Sequence, residues 1–179
     1  MKKIGILVGS NTDLEALSIR QSLEYFGYEV YMKYVGRPND FRDFLQGKLF
    51  SNEIDFFILC FHGINGGFIM PKLSREIYTA DEVKNKFGFK DIEENILLKK
   101  KVFLSTACSV GKKNMANSFI KNNSIFIAPK GYIEGNSAYV FVINFFYNFF
   151  ENQDIEGSFE KAMNIDAETQ QFKLFRVLK

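Results

Sequence analysis

Asp55-Phe56-Phe57-Ile58-Leu59-Cys60-Phe61-His62-Gly63 is the stretch on which the fold turns. Between Phe56 and Phe61 every residue is apolar, without the alternation of a strand that keeps one face in water. An unbroken run of this length, closed by glycine, marks a strand buried on both faces, as in a parallel sheet covered by helices. A second run follows further on, Lys101-Val102-Phe103-Leu104-Ser105-Thr106-Ala107-Cys108-Ser109. Each run ends in a side chain with reactive chemistry, His62 in one and Cys108 in the other.

Outward from these two strands the chain alternates. Ile4 to Val8 reads as a third buried strand. Thr12-Asp13-Leu14-Glu15 has the form of a capping box, with Thr12 as N-cap and Glu15 reaching back. It opens a helix to about Phe26 with Leu14, Leu17 and Leu23 inward, closed by Gly27. Glu29 to Val35 is a strand, Gly36-Arg37-Pro38-Asn39 breaks the chain, and Asp40 to about Phe50 is a helix. After His62 the pattern predicts a rim hairpin from Phe68–Met70 and Glu76–Tyr78, then a helix from Thr79 to about Phe87. Asn114 to Lys121 reads as a helix, Ser124 to Ala128 as a strand and Gly131 to Gly135 as a loop. Helices from Ser137 to Glu151 and from Ile155 to Ala167 precede an edge strand from Phe172 to Leu178. The alternation predicts an α/β three-layer sandwich, a mostly parallel central sheet with helices on both faces. No repeat or linker divides it, so residues 1–179 read as a single domain.

Charge narrows the function. Lys and Arg total 23 against 21 Asp and Glu, a balance that gives no case for nucleic acid or an anionic membrane as partner. The apolar stretch from Ala138 to Phe150 is too short to span a bilayer. The apolar run behind Met1-Lys2-Lys3 stops at Val8, too early for a signal peptide. Two cysteines are too few for a disulfide scaffold. A cytoplasmic location is the expectation. The sequence holds 21 Phe, no Trp and one His.

In open α/β sheets ligands sit beyond the carboxyl ends of the strands. Those ends here carry Gly9, Ser10, Asn11 and Asp13, then His62-Gly63, then Cys108-Ser109, then Pro129 to Asn136. Neighbouring strands lie about 4.8 Å apart, so if the two strands that end before His62 and Cys108 are adjacent, they bring those side chains into one space. A Cys–His pair supplies a thiolate nucleophile with a general base beside it. Gly63 brings a backbone N–H close without a Cβ, and with the Cys108 N–H it forms a candidate oxyanion hole. Such chemistry needs no cofactor. Cys60, inside its run, reads as core packing. Cys60, His62 and Cys108 are also three soft ligands for zinc, one short of the four that a structural site takes.

These residues resemble the caspase-like cysteine peptidases of clan CD. That pattern is a hydrophobic strand then His-Gly, and a hydrophobic strand then Ala-Cys with glycine soon after, here Gly111; the caspase histidine lies about 50 residues before its cysteine. The stretch from Ala128-Pro129 to Phe146-Tyr147-Asn148-Phe149-Phe150, followed by Phe159-Glu160-Lys161-Ala162, is similar to the bacterial CHAT branch. The resemblance implies a caspase-like domain and a cysteine endopeptidase acting on a protein or peptide, with His62, Cys108 and Gly63 as its catalytic residues. It implies that the loop after the first strand lines the first specificity pocket, making Asp13 a candidate for selecting a basic side chain. Glu134 has the same standing in the loop after the fifth strand. Thr106 occupies the substrate-facing position where caspases have Gln, so their preference does not carry over. Only Ser109 to Lys113 link Cys108 to the next helix, with no long processing loop, and an activating protein partner is the corresponding expectation.

Two other readings remain open. One is a caspase-fold interaction module that no longer cleaves. The other is a flavodoxin-like phosphate or nucleotide binder, because Val8-Gly9-Ser10-Asn11-Thr12-Asp13 is similar to the phosphate-binding start of purine-pathway carboxyaminoimidazole mutases, and a helix N-terminus suits an anion.

Overall fold

The computed structural model describes residues 2–177. Six strands form one sheet in the order β2 (Glu29–Tyr34), β1 (Lys3–Val8), β3 (Phe56–Cys60), β7 (Val102–Ser105), β8 (Ile125–Pro129), β9 (Phe172–Arg176). The first five are parallel and β9 is an antiparallel edge. Leu178, the expected end of that edge strand, lies outside the described residues. A small second sheet joins β4 (Gly63–Ile64), β5 (Gly67–Ile69) and β6 (Lys86–Phe87). The α/β sandwich with its mostly parallel sheet is therefore the observed fold.

Strand periodicity explains the continuous apolar runs. Phe57, Leu59 and Phe61 belong to one core, Ile58 and Cys60 to the other. The first core packs under α2 (Pro38–Leu45), α3 (Phe89–Asn95) and α4 (Lys113–Ile120). The second packs under α1 (Asp13–Tyr25), α5 (Gly135–Asn152) and α6 (Ile155–Met163). Phenylalanine fills both layers: Phe119 stacks on Phe126 with centroids 4.4 Å apart, and Phe141 on Phe172 at 3.7 Å.

Several local expectations are corrected. The buried stripe of α1 is Ala16, Ile19 and Leu23, while Leu14 is 83% and Leu17 39% exposed. At about 100° per residue, Leu14 and Leu23 fall on opposite sides of the helix. The capping box does not form. The buried Thr12 hydroxyl instead bonds the carbonyls of Gly9 at 3.0 Å and Cys60 at 2.8 Å, fastening the start of α1 to the ends of β1 and β3. Helix α2 begins earlier than expected, with Pro38 in its first turn, and stops at Leu45. Helix α6 ends at Met163.

The segment after His62 departs most. Asn65 and Gly66 have positive φ (48° and 73°) and close a tight hairpin of β4 against β5, the geometry an Asn-Gly pair favours. Its third strand is β6, and residues 76–78 are not a strand. The helix expected from Thr79 to Phe87 is absent, because Asp81 and Asn85 take left-handed backbone (φ 65° at both) and Phe87 is drawn into the core against β5. The helix instead follows as α3, where the Gly88 N–H donates to Asp91 Oδ2 at 2.7 Å.

Glu82 fastens this irregular segment to α2. Its side chain is fully covered. It accepts from both Arg37 Nε at 3.0 Å and Arg37 Nη2 at 2.6 Å, and from the N–H groups of Asn39 and Thr79. The Arg37 pairing, reinforced by those backbone donors against the opposing effect of burial, lowers its pKa to about 2. A carboxyl whose pKa is depressed by folding contributes stability that is complete above its unfolded value, about 4.3, and is lost as pH falls through 2. Glu82→Gln should therefore destabilise by about 1–3 kcal/mol at neutral pH. Urea titrations at pH 7 and pH 2 check this: the wild-type advantage should shrink at the lower pH.

Candidate active site

His62 and Cys108 leave the carboxyl ends of adjacent strands. β3 and β7 pair with Phe56 opposite Val102 and Leu59 opposite Ser105, a constant offset of 46. The Thr106 N–H continues this ladder to the Leu59 carbonyl at 3.1 Å. His62 and Cys108 are separated by the same offset, and each follows the end of its strand by two or three residues. Cys60 belongs to the α1 and α5 core, and His62 lies two residues beyond it, as Cys108 lies two beyond Thr106. His62 is exposed and Cys108 half-buried.

Gly63 fixes the contact between the two segments. A Cβ on Gly63 would lie 2.1 Å from the Cys108 carbonyl oxygen and 3.0 Å from its nitrogen. Only glycine allows the backbones this close. The hairpin also frees the Gly63 N–H. Ile69 N–H bonds the His62 carbonyl at 2.9 Å, so the next pair, Gly63 with Phe68, is a non-hydrogen-bonded one, and the Gly63 N–H turns away from β5. The Cys108 N–H has no acceptor among the described residues, whereas its neighbours Ala107 and Ser109 are satisfied by Ser105 Oγ and the Gly131 carbonyl. The backbone contact of Gly63 with Cys108 thus carries two N–H donors without an acceptor among the described residues.

Two residues that the sequence did not mark lie at this edge. Glu15 sits in the first turn of α1, beside Cys60 and Thr106, with Oε1 buried and without a hydrogen-bond partner among the described residues. Burial raises its pKa, against the lowering influence of Thr106, Cys60 and the nearby His62 charge. Ile133 is the other: its carbonyl accepts from Cys108 Sγ at 3.5 Å. In sequence Glu15 reads as the second half of a capping box, and a backbone acceptor leaves no mark there.

The remaining candidates are distributed around this centre. Thr106 is buried, its hydroxyl 3.4 Å from the Leu59 carbonyl. Asp13 is exposed at the first position of α1. Glu134 is the exposed N-cap of α5, its own N–H bonded to Glu168 Oε2 at 2.7 Å. Cys60 is fully buried, and burial raises its thiol well above the ordinary range. No group of three His, Cys, Asp or Glu side chains converges as a metal site among the described residues, so Cys60, His62 and Cys108 do not form one. The phosphate-loop reading meets an obstacle: the Gly9 N–H bonds Cys60 and the Thr12 hydroxyl is occupied, so two donors that would face an anion are spent.

A solved structure shares this arrangement of strands and helices. It is a secreted C11 cysteine protease from Bacteroides thetaiotaomicron in complex with an irreversible peptide inhibitor. The TM-score is 0.57 at 12% sequence identity, over 98% of this chain and 66% of that one. The likeness is one of fold. It is the caspase-like fold that the His-Gly and Ala-Cys motifs imply. No family model matches the chain, and no curated protein matches it in sequence. The comparisons give no support to the CHAT branch in particular. Among the described residues no helix is long and apolar enough to cross a membrane.

Proposed function

We propose that the chain is a cysteine endopeptidase working through His62 and Cys108. The observation that carries this reading is the backbone contact of Gly63 with Cys108, which ties the base-bearing and nucleophile-bearing segments together at two N–H donors without an acceptor among the described residues. The Cys108 thiolate attacks the peptide carbonyl carbon, and the carbonyl electrons move onto oxygen. The N–H groups of Gly63 and Cys108 stabilise that oxyanion. Protonated His62 gives its proton to the departing amine as the C–N bond breaks, leaving a thioester on Cys108. His62 then takes a proton from water, whose oxygen attacks the thioester, and the acid product and the Cys108 thiol are released. Loss of peptide cleavage in Cys108→Ala tests this scheme.

The first turn of α1 carries two acids, Asp13 and Glu15, and Glu15 lies beside Thr106. Glu15 is the better placed to take a substrate Arg or Lys, because its Oε1 is buried and unpaired whereas Asp13 is exposed to water. A cationic side chain would satisfy that oxygen by a charge-assisted bond. Glu15→Gln should then lower the preference for Arg over its neutral isostere citrulline by about tenfold or more, while Asp13→Asn changes it less than twofold. The titratable groups facing Glu15 are Cys60 and His62. Pairing needs the carboxylate, and burial raises its pKa, so the Arg preference should strengthen as pH rises through that raised value. A peptide-library scan at several pH values checks both points. The exposed Glu134, on the far side of Cys108, stays a candidate contact for a more distant substrate residue.

A further inference from the structure

Loop 130–134, between β8 and α5, is suspended over Cys108 by two pairs of contacts. On the inner side the Ser109 N–H bonds the Gly131 carbonyl at 2.9 Å, and the Cys108 thiol bonds the Ile133 carbonyl at 3.5 Å. On the outer side the Lys130 N–H bonds the Gln171 carbonyl at 2.9 Å, and the Glu134 N–H bonds Glu168 Oε2 at 2.7 Å.

The inner thiol contact opposes catalysis. The Ile133 carbonyl oxygen accepts from the Cys108 thiol, with Sγ 3.5 Å away, so the sulfur is engaged by its own chain. The contact also occupies the sulfur that a substrate carbonyl must approach. We propose that loop 130–134 is a latch that holds Cys108 in a resting state, and that Glu168 is its catch. This rests on Cys108 being the nucleophile of the proposed peptidase.

The catch is identifiable because the other outer contact is backbone to backbone and continues the β8–β9 ladder. Glu168 is the single side chain holding the loop from outside among these contacts. It is itself well placed. Asp166 and Thr169 bond each other reciprocally, at 3.0 Å and 2.7 Å, and the Thr169 hydroxyl also bonds the Met163 carbonyl. That turn presents the Glu168 carboxylate to the N–H of Glu134, the N-cap of α5, where the helix dipole favours a negative charge. A partner or substrate that draws Glu168 away, or offers the Glu134 N–H another acceptor, would release Ile133 from the sulfur.

The test is the rate of Cys108 alkylation by iodoacetamide, read by peptide mass spectrometry with the buried Cys60 as internal reference. Glu168→Gln removes the charge of the catch. Glu134→Pro removes the donor instead, at a residue whose φ of −73° proline adopts without strain. Both folded variants should alkylate Cys108 roughly three- to tenfold faster than wild type, as expected for loss of one charge-assisted hydrogen bond. A rate within twofold of wild type in either folded variant overturns the latch, as does a parallel rise at Cys60, which would report general loosening. The readout needs no peptide cleavage, so failure of the latch and failure of the peptidase reading are separate results.

Discussion

Gly63→Ala should damage both stability and peptide cleavage, although it adds one methyl group. The new Cβ would stand 2.1 Å from the carbonyl oxygen of Cys108 and 3.1 Å from its carbonyl carbon. These are backbone atoms, which cannot rotate aside as a side-chain tip can. Either the hairpin lifts from Cys108 or the turn after β7 shifts. Overpacking of this kind costs about 1–3 kcal/mol where the structure can yield. The kinetic loss should be larger in proportion. Separating the segments moves His62 and the Gly63 N–H relative to the sulfur, and a misplacement of about 1 Å at reacting groups costs on the order of 100-fold in rate. Gly135→Ala is the matched control, because a Cβ there meets nothing within 4 Å. Urea melts and cleavage rates on both variants decide the matter. A Gly63→Ala protein as active as Gly135→Ala would remove the contact on which the proposed site depends.

The same pair of segments shows how much of the molecule could be read from sequence. The apolar runs before His62 and Cys108 announced the central strands because a strand buried on two faces has no polar positions to interrupt it. Their parallel order followed from the intervening helices. The irregular segment between them was not legible in this way. Thr79-Ala80-Asp81-Glu82 has the composition of a helix start, but Glu82 is taken up by Arg37 and two backbone N–H groups, and the left-handed Asp81 and Asn85 prevent propagation. That choice is made by a partner more than forty positions away, which local pattern does not register. Thr12 and Glu15 carried the same ambiguity: both suit a cap, yet one clamps Cys60 and the other lies over Thr106. The Ile133 carbonyl carried no sequence signal at all, since every residue has one.

Cys108→Ala should abolish peptide cleavage, by at least about 10⁴-fold, while leaving the fold in place. The two halves of this expectation have separate grounds. Catalytically, alanine has no electron pair with which to form the thioester, and the residual rate is what the Gly63 and Cys108 N–H groups and substrate positioning provide with water as nucleophile. Structurally, Cys108 is half-buried and its thiol makes one hydrogen bond, to Ile133, so its removal costs roughly 0.5–1.5 kcal/mol. Cys60→Ala should do the reverse. That thiol is fully buried in the α1 and α5 core, so its loss should reduce stability by about 1–2 kcal/mol through lost packing and leave the cleavage rate within a few-fold of wild type. Alkylation gives an independent ordering. Burial holds the Cys60 thiol well above its ordinary range, and a buried neutral thiol is inert, so iodoacetamide should modify Cys108 first and cleavage should decline in step with that modification. Faster labelling of Cys60, or cleavage that survives in Cys108→Ala, would reverse the assignment. A chain that labels at Cys108 yet cleaves no peptide in any library would instead favour the caspase-fold interaction module over the peptidase.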